Sequence, residues 1–420
     1  MQKPLHAVRT HALVPPLAAA LIGVSSLNAV GQQFVATPLG TLGGPGSVAY
    51  GVNDAGQVVG AADADDGSFH AFVWDNGTMI DLGTLTGGDV SSAHSINNAG
   101  VIVGRSHNAS GVDRAVRWVP VAPGQWQIED LGTLKPDDTG FGWATRINDN
   151  GQIVGYATAS SGSYHAFRWT SGTMMDLGTL SYSGPLAYSQ GLGINDAGKS
   201  VGFAYQVLGG PEHGMYHDGA AGQDITPADS FALAQGHNIN SSDVIVGYIS
   251  TNATGGAFRA ATYPPRGPWQ LIPLLPGTSD SYGYDINDAG VVVGTSFLAG
   301  PSSDFFGLYY DGTQSINLND VTTGAPAQIV DAYDISNTAL IAANSADALA
   351  PMALLLSPAP DCPGDVDGDD DVDLADLSAL LEDFGVSGTP GMPGDLDGDD
   401  DVDLADLSAL LENFGASCGA

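Results

Sequence analysis

A phrase that recurs at intervals of 44 to 51 residues limits the fold of this chain more than any other feature of the sequence. Its sharpest element is a four-residue turn of the form Asn-Asp-Ala-Gly. The turns lie at Asn53–Gly56, Asn97–Gly100, Asn148–Gly151, Asn195–Gly198 and Asn287–Gly290, with degraded copies at Asn240–Asp243 and Ser336–Ala339. A period of about 40 to 50 residues in a strand-rich sequence is typical of propeller blades. The sequence therefore predicts an all-β, seven-bladed propeller over residues 34–357.

Each repeat carries signals for four strands. In the first copy we expect strands ending at Val52 and over Gln57–Gly60, His70–Trp74 and Met79–Leu82. Tight turns separate them, because Asn and Gly accept the positive φ angles of hairpin loops. A small residue also lies four positions before each anchor turn, where it suits a crowded innermost strand around a central channel. These residues are Ala49, Ala93, Ala144, Gly191, Gly236, Gly283 and Ala332.

The two ends of the repeat region complement each other. The phrase Leu39-Gly40-Thr41-Leu42 belongs to the fourth strand of later repeats, but here it precedes any first strand. The last repeat stops after its third strand, near Met352–Leu356. We therefore expect the segment Phe34–Leu42 to supply the outer strand of the seventh blade, which leaves no unpaired sheet edge at the join.

Several third strands carry a His-Ala-Phe triplet. It occurs as His70-Ala71-Phe72 and His165-Ala166-Phe167, with relaxed versions at Arg114-Ala115-Val116 and Gly256-Ala257-Phe258. This phrase resembles the HAF repeat of exported bacterial proteins, and the resemblance implies an extracellular location without established chemistry. Each His has its own blade and no His-x-His or carboxylate partner, so we expect structural residues rather than metal ligands. The recurring Asp of the fourth strand (Asp81, Asp130, Asp176) is likewise expected to serve the turn.

The last sixty residues contain one acidic phrase twice. It reads GDVDGDDDVDLADLSALLEDFG from Gly364 and GDLDGDDDVDLADLSALLENFG from Gly394. Ca²⁺ takes six to eight oxygen ligands, and a twelve-residue loop supplies them from positions 1, 3, 5, 7, 9 and 12. The side-chain ligands would be Asp365, Asp367, Asp369, Asp373 and Asp376, and then Asp395, Asp397, Asp399, Asp403 and Asp406; Asp371 and Asp401 would contribute their main-chain carbonyls. The sequence predicts two bound calcium ions.

Apolar residues at helical spacing follow each loop. They are Leu374, Leu377, Leu380, Leu381 and Phe384, and Leu404, Leu407, Leu410, Leu411 and Phe414. The duplicated loop and helix resemble the type I dockerin module over Gly364–Gly415, which implies calcium binding and docking onto a cohesin domain. Loop position 6, usually glycine, is Asp370 and Asp400, which tolerate the left-handed conformation. The partner-reading positions 10 and 11, often polar in the family, are Leu374-Ala375 and Leu404-Ala405, so the resemblance implies calcium binding more strongly than cohesin recognition.

The charge and the N-terminus indicate a compartment. The net charge is −36, and 18 of the 47 acidic residues follow position 360. Nucleic acid and anionic lipid surfaces require basic faces, so they are excluded as partners. Lys3 and Arg9 precede a mostly apolar stretch over Ala12–Val24, the layout of a secretory signal with cleavage after Ala29 or Gly31. The alternative is an uncleaved membrane anchor.

The two cysteines bracket the acidic phrases. In an oxidising compartment Cys362 and Cys418 are expected to pair, whereas two free thiols are the alternative. The resulting organisation is a signal peptide over residues 1–31, the propeller over 34–357, a linker over 358–364 and the dockerin-like module over 365–418.

Function is less constrained than fold. The connections into the first strands carry aromatic residues that could bind a sugar or a protein at one face, or pack between blades: Tyr50, Phe141, Trp143, Tyr182, Tyr188, Phe231, Tyr282, Tyr284 and Tyr333. The body contains only two glutamates, Glu129 and Glu212, and no catalytic serine, zinc or phosphate motif. We expect an exported, non-catalytic interaction protein. The alternatives are an enzyme of polysaccharide breakdown, whose carboxylate pair would come from the abundant Asp residues, and a purely structural envelope component.

Overall fold

The computed structural model describes two compact units, residues 32–359 and 364–416. Within them the described residues are 32–180, 187–205, 211–219, 222–227, 233–250, 257–265, 267–298, 304–346, 350–359, 364–367, 369, 371–386, 394–396 and 401–416. Several sequence predictions lie outside this set: the signal peptide, Cys362 and Cys418, Tyr182 and Phe231, and Asp370, Asp397, Asp399 and Asp400. In the described part of the chain, no helix has the length and hydrophobicity to span a membrane.

The larger unit is a ring of seven sheets, which confirms the predicted propeller. Its strands are β1 Phe34–Pro38, β2 Gly43–Val52, β3 Val58–Ala64, β4 Phe69–Asp75, β5 Thr78–Asp81, β6 Ser91–Ile96, β7 Ile102–His107, β8 Asp113–Ala122, β9 Gln125–Asp130, β10 Gly142–Ile147, β11 Ile153–Thr158, β12 Tyr164–Thr170, β13 Thr173–Gly178, β14 Tyr188–Ile194, β15 Ser200–Tyr205, β16 His213–His217, β17 Gln223–Asp224, β18 Ala234–Ile239, β19 Ile245–Ser250, β20 Phe258–Tyr263, β21 Gln270–Leu271, β22 Asp280–Ile286, β23 Val292–Phe297, β24 Phe305–Tyr310, β25 Ser315–Asn317, β26 Thr322–Thr323, β27 Gln328–Ile335, β28 Ile341–Ala346 and β29 Pro351–Pro358. Blades 1 to 6 take four consecutive strands each, from β2–β5 to β22–β25, and blade 7 begins at β27.

Blade 7 closes the ring with the N-terminal strand, as predicted. Strand β1 pairs antiparallel with β29, with Ala36 opposite Leu356. The Phe34 side chain is fully buried, and its ring lies 5.5 Å from that of Tyr309 in blade 6. The short strand β26 then pairs parallel with β1, opposite Phe34 and Val35. This fifth strand was not predicted, because two residues carry no periodic signal.

Close packing between neighbouring blades explains the small residues of the innermost strands. A Cβ atom on Gly283 of blade 6 would lie 2.6 Å from Val246 Cγ2 of blade 5. The same position is fully buried at Ala49 and Ala332. Immediately after this residue each innermost strand contains a β-bulge, such as that between Ala49 and Gly51. The crowded innermost strands predicted from the sequence are confirmed.

The first Asn of the anchor turn links successive blades. In blade 1 the Asn53 side-chain oxygen accepts hydrogen bonds from the backbone N–H groups of Ala55 and Gln57, so it holds its own turn. Its Nδ2 atom donates to the carbonyl of Asn97 in blade 2 at 3.2 Å. Equivalent donations run from Asn97, Asn148, Asn195, Asn240 and Asn287, the last to Ser336 of blade 7. The turn therefore repeats because it forms a ring of hydrogen bonds at one mouth of the channel.

The smaller unit contains two helices, α1 Leu374–Asp383 and α2 Leu404–Glu412. Each begins with a capping box, made by Asp373 with Asp376 and by Asp403 with Asp406. The two halves exchange backbone hydrogen bonds reciprocally: Gly415 N–H donates to Val372 at 2.7 Å, and Gly385 N–H donates to Val402 at 2.8 Å. The predicted duplication of one loop and one helix is confirmed.

Candidate functional site

The His of the His-Ala-Phe triplet has a structural role. His70 Nδ1 lies 2.9 Å from Asp81 Oδ2, and Asp81 Oδ1 accepts the N–H of Gly83 at 2.7 Å. The same His–Asp geometry recurs in His165–Asp176 and His213–Asp224. The prediction that these His residues lack a carboxylate partner is wrong, because the next strand brings an Asp from eleven residues away. The pair ties the third strand to the end of the fourth, as the predicted structural role requires.

Aromatic rings form a connected set along the inner parts of the blades. Some lie at the start of the innermost strands, the end of the second strands or the start of the third strands, which share the sheet edge opposite the anchor turns. The others lie at the bulges of the innermost strands, three residues before the anchor turn: Tyr50, His94, His237, Tyr284 and Tyr333. We call this set the aromatic belt. It comprises Tyr50, His94, Phe141, Trp143, Tyr156, Tyr164, Tyr188, Phe203, Tyr205, His237, Tyr248, Phe258, Tyr282, Tyr284, Phe297, Phe305 and Tyr333.

Ring contacts connect the belt from blade 5 through blades 6, 7, 1, 2 and 3 to blade 4. The Tyr50 ring stacks on His94 of blade 2 at 5.2 Å and contacts Tyr333 of blade 7 at 5.4 Å. Tyr333 stacks on Tyr284 of blade 6 at 4.9 Å, and Tyr284 stacks on His237 of blade 5 at 5.7 Å. The predicted packing of these rings between blades is confirmed, while ligand binding by the rings stays a prediction; each ring is half-buried.

Among the described residues, polar groups lie between the rings of blades 4 and 5. The Glu212 carboxylate accepts a hydrogen bond from Gln235 Nε2 at 2.7 Å, and the Tyr248 hydroxyl lies 3.5 Å from the same oxygen. Glu212 immediately precedes β16. No repeated motif marks this residue, because it comes from a blade connection that does not repeat.

A second carboxylate, Asp331, belongs to the belt at blade 7. Its Oδ1 atom accepts a hydrogen bond from Asn344 Nδ2 at 2.8 Å. Burial raises the pKa of Asp331 to about 6, because the charged form loses hydration, and the hydrogen bond from Asn344 only partly offsets this. The negative charge in turn raises the pKa values of Tyr50 and Tyr333, after the larger effect of their own burial. The tyrosine hydroxyls are therefore neutral at ordinary pH.

His94 is a neutral hydrogen-bond donor in the belt. Trp143 Nε1 donates to His94 Nδ1 at 3.0 Å, which places the imidazole proton on Nε2. Burial, and then the nearby Arg105, lower the pKa of His94 to about 3. The Nε2 atom is buried and has no hydrogen-bond partner among the described residues. The Arg105 guanidinium lies 4.7 Å from the centre of the Trp143 ring and pairs with Asp113 at 2.8 Å.

Sequence reasoning named Tyr50, Tyr284 and Tyr333 but missed His94, His237 and the bulge that all five share. In blades 1, 2, 5, 6 and 7 an aromatic residue or a histidine follows the small residue that recurs in each innermost strand. These residues are, in blade order, Tyr50, His94, His237, Tyr284 and Tyr333. Alignment of the seven repeats on their anchor turns would have shown this column. Burial lowers the pKa of His237 to about 4, so this ring is also neutral.

An ion cluster occupies the channel between the two mouths. Arg146 pairs with Asp285 at 2.9 Å and also with Asp334. Asn238 donates a further hydrogen bond to Asp285, and burial raises the pKa of Asp285. On the anchor-turn side a cavity of about 160 Å³ ends at these groups. Since the carboxylates are already bonded to Arg146 and to backbone N–H groups, the cluster joins blades 3, 6 and 7.

Acidic clusters that could hold metal ions lie in the smaller unit. Ligand oxygens of Asp365, Asp367, Asp369 and Asp376 lie within 4.8 Å of one another, and those of Asp371, Asp373 and Asp376 form a second such group. The corresponding Asp401, Asp403 and Asp406 converge in the second loop. Asp371 was expected to contribute only its main-chain carbonyl, but its carboxylate also reaches this group.

The carboxylates of the first loop suit a hard cation. Loss of hydration and repulsion by Asp369, Asp376 and Asp365 raise the pKa of Asp367. Asp376 behaves differently: burial raises its pKa, but the backbone N–H groups of Asp373, Asp367 and Val366 outweigh burial and lower it. The Oδ1 atom of Asp371 is buried without a hydrogen-bond partner in the described chain. This donor set of oxygens alone matches the preference of Ca²⁺.

The apolar residues after each loop do not all enter a core. Leu380 and Leu410 are fully buried, as expected for one helical face. By contrast, Leu374 and Leu404 are 71% and 72% exposed, and Leu381 and Leu411 are also exposed. The predicted helices are confirmed, and each is too short to bury more than part of its apolar set. Each half presents the same exposed leucine pair.

No family model and no curated protein sequence matches the chain. Among solved structures, the propeller domain of a trilobed protease from Pyrococcus furiosus is 10% identical, with 66% of this chain and 84% of that chain covered and a TM-score of 0.42. An ulvan lyase of a polysaccharide lyase family is 12% identical, with 78% and 94% covered and a TM-score of 0.41. The protein AofleA from Arthrobotrys oligospora is 11% identical, with 68% and 88% covered and a TM-score of 0.39.

Proposed function

We propose that the protein is an exported, non-catalytic interaction protein. Its propeller recognises a glycan or a protein at the aromatic belt, and its C-terminal unit binds two Ca²⁺ ions and attaches the chain to a partner. The observation that carries the proposal is the convergence of Asp365, Asp367, Asp369 and Asp376 at the start of a helix whose exposed side carries Leu374. A cation at these carboxylates would fix the orientation of the exposed leucine.

Calcium chemistry follows from the charges in the loops. Loss of hydration, and then repulsion by the other carboxylates of the loop, raise the pKa values of Asp367 and Asp371, so the loop is stabilised when a divalent cation neutralises these groups. Asp376 occupies loop position 12 and also caps helix α1. Metal binding and helix formation are therefore coupled through one side chain.

Export and partner binding rest on the sequence. Secretion is supported by the basic and then apolar stretch before residue 31, and a calcium-bearing medium suits a chain of net charge −36. The Cys362–Cys418 pairing belongs to the same proposal. The HAF and dockerin resemblances favour a cell-surface or secreted assembly, with a cohesin-like or other surface protein as the partner of the exposed leucines.

A calcium titration tests the metal sites. Isothermal titration of residues 32–420 with CaCl₂ should give two binding equivalents. Asp367→Asn should remove one equivalent, since this exposed carboxylate belongs to the first cluster. The matched control is Glu382→Gln, which changes an exposed acid of α1 outside the loop and should keep both equivalents. Two equivalents in Asp367→Asn, or none in the unaltered chain, would contradict the proposal.

Partner capture tests the attachment role. The same chain serves as bait for exported and surface fractions of its source organism, in millimolar Ca²⁺ and in chelator. A partner should be retained only in Ca²⁺, and the double variant Leu374→Ser/Leu404→Ser should lose it. Ser378→Ala is the control, because it changes an exposed polar residue of the same helix. Retention in chelator, or by the double leucine variant, would contradict attachment through this unit.

One observation favours a second candidate, an enzyme of polysaccharide breakdown. Asp331 keeps its proton to a pH of about 6 because burial raises its pKa, and such a carboxyl group can act as a general acid. A screen for reducing-sugar release from common polysaccharides tests this candidate. Activity that disappears in Asp331→Asn would favour the enzyme over the non-catalytic protein.

A further inference from the structure

The aromatic belt combines aromatic rings with hydrogen-bonding groups. Most of its rings are half-buried, whereas Tyr156 and Phe203 are buried and Tyr164 and Phe305 are more exposed. Carboxylate, amide and imidazole groups lie between the rings, at Glu212, Gln235 and His94. Rings next to hydrogen-bonding groups suit a ligand that has apolar faces and a polar rim.

Several polar atoms of the belt have no protein partner. Among the described residues, the hydroxyls of Tyr50, Tyr284 and Tyr333 make no hydrogen bond, and the buried His94 Nε2–H makes none either. These tyrosines belong to three neighbouring blades, and the Tyr333 ring contacts the rings of both Tyr50 and Tyr284. Unpaired donors beside ring faces match sugar hydroxyl groups, which both donate and accept.

The charges of the belt select among sugars. Glu212 and Asp331 are acidic, and the histidines His94 and His237 are neutral because burial lowers their pKa values. The Arg105 guanidinium, which lies over the Trp143 ring, is already paired with Asp113. Uronate, sulfate and phosphate groups would therefore meet repulsion, whereas neutral and amino sugars would not.

We propose that the aromatic belt is a binding site for oligosaccharides built from neutral or amino sugars, and that it disfavours anionic ones. This inference rests on the proposed function, in which the propeller carries the ligand-binding face, and it assigns the class of ligand. Sugar rings would stack on Tyr164 and the neighbouring aromatic side chains, while the Tyr50, Tyr284 and Tyr333 hydroxyls and His94 contact the sugar hydroxyls.

Isothermal titration of residues 32–420 tests the proposal with three probes of equal length. These are cellohexaose, which is neutral, a glucosamine hexamer, which is cationic, and a galacturonic acid hexamer, which is anionic. We expect measurable affinity for cellohexaose or the glucosamine hexamer and at least tenfold weaker affinity for the uronate. Equal or tighter binding of the uronate would overturn the charge selection, and absence of binding to all three would overturn the site.

Two tyrosine substitutions test whether the sugar binds at the aromatic belt. Tyr164→Ala should weaken binding of the preferred hexamer by about tenfold, because it removes an exposed stacking ring. Tyr333→Phe keeps the ring and removes only the hydroxyl, so it should weaken binding without changing the melting temperature. Met175→Ala is the control, as this exposed side chain on β13 lies outside the belt. Undiminished binding in both tyrosine variants would place the sugar elsewhere.

Failure of the sugar-binding proposal can be distinguished from failure of the proposed function as a whole. Failure of sugar binding with an intact calcium titration and calcium-dependent partner capture would overturn this inference alone. Release of reducing ends from the bound hexamer would instead support the enzyme candidate and overturn the non-catalytic role, while leaving the sugar specificity in place.

Discussion

At the scale of single residues, burial of one carboxyl group should leave a pH signature in stability. Burial raises the pKa of Asp331 from 3.8 to about 6, so the folded protein binds this proton more tightly than the unfolded chain does. The contribution of Asp331 is then most favourable below about pH 4, is lost as the pH rises to about 6, and stays lost above that. The full difference amounts to at most about 3 kcal/mol.

The variant Asp331→Asn isolates this effect. Between pH 4 and pH 7, the free energy of unfolding of the variant should rise relative to that of the unaltered chain, because only the latter must ionise a buried acid. Urea denaturation at four pH values, followed by tryptophan fluorescence, measures the difference. Because the other acidic residues titrate in both proteins, their contributions cancel. A constant difference over this range would show that Asp331 is not desolvated.

At the scale of the strand, the bulge of the innermost strand leaves no room for a side chain on the neighbouring second strand, so that position requires glycine. A Cβ atom on Gly60 would lie 1.9 Å from the carbonyl oxygen of Val48, and backbone cannot move aside. Gly60→Ala should therefore destabilise the propeller by about 2 kcal/mol or more. Blade 7 offers the matched control, because Ala343 holds the equivalent position opposite Ala332.

Urea denaturation of both variants checks this prediction. Ala343→Gly changes the same pair of residue types in the opposite direction and should cost no more than about 1 kcal/mol. Equal effects of the two variants would show that the close approach at Gly60 is relieved elsewhere in the blade.

The strands were predictable because the turns between them carry Asn and Gly residues, which mark tight turns in a sequence. Asn76 and Gly77 both adopt positive φ angles, and the predicted hairpin between the third and fourth strands forms there. The bulge was not predictable from one repeat, because its residue differs from blade to blade. The aromatic belt includes the bulge residue of several blades and Glu212, which comes from a non-repeating connection. Only part of the belt could therefore be predicted from the sequence. The acidic clusters were predictable where they are described, since their carboxylates lie at fixed spacing along one segment, and the calcium ions themselves stay a prediction.

At the scale of the whole molecule, the ring is held closed by a strand from the other end of the chain. Phe34 anchors β1 in the core between blades 6 and 7, where it is fully buried. Phe34→Ala should cost about 3 to 5 kcal/mol, since it leaves a cavity at the join. Val35→Ala is the control, because its side chain is only half-buried on the same strand. If thermal melting showed similar losses for both variants, β1 would not carry the closure through Phe34.

The two compact units should respond separately to calcium, and the chain supplies a probe for each. All six tryptophans lie between residues 74 and 269, so their fluorescence reports on the propeller alone. The two described α-helices lie in the smaller unit, so the circular dichroism signal at 222 nm reports on that unit. A ligand that binds only folded protein stabilises it by about 2.7 kcal/mol at a hundred times its Kd.

Thermal melting followed by both probes, in millimolar Ca²⁺ and in chelator, should shift the helix transition upward and leave the tryptophan transition unchanged. Asp367→Asn should reduce the helix shift, because one of the two loops loses a ligand, whereas Glu382→Gln should not. Equal shifts of both transitions would mean that calcium binds the propeller as well or that the two units unfold together. An unchanged helix transition would mean that the carboxylates at Asp365 and Asp376 do not hold the ion. The two probes thus separate metal binding in the acidic loops from any effect of calcium on the ring of blades.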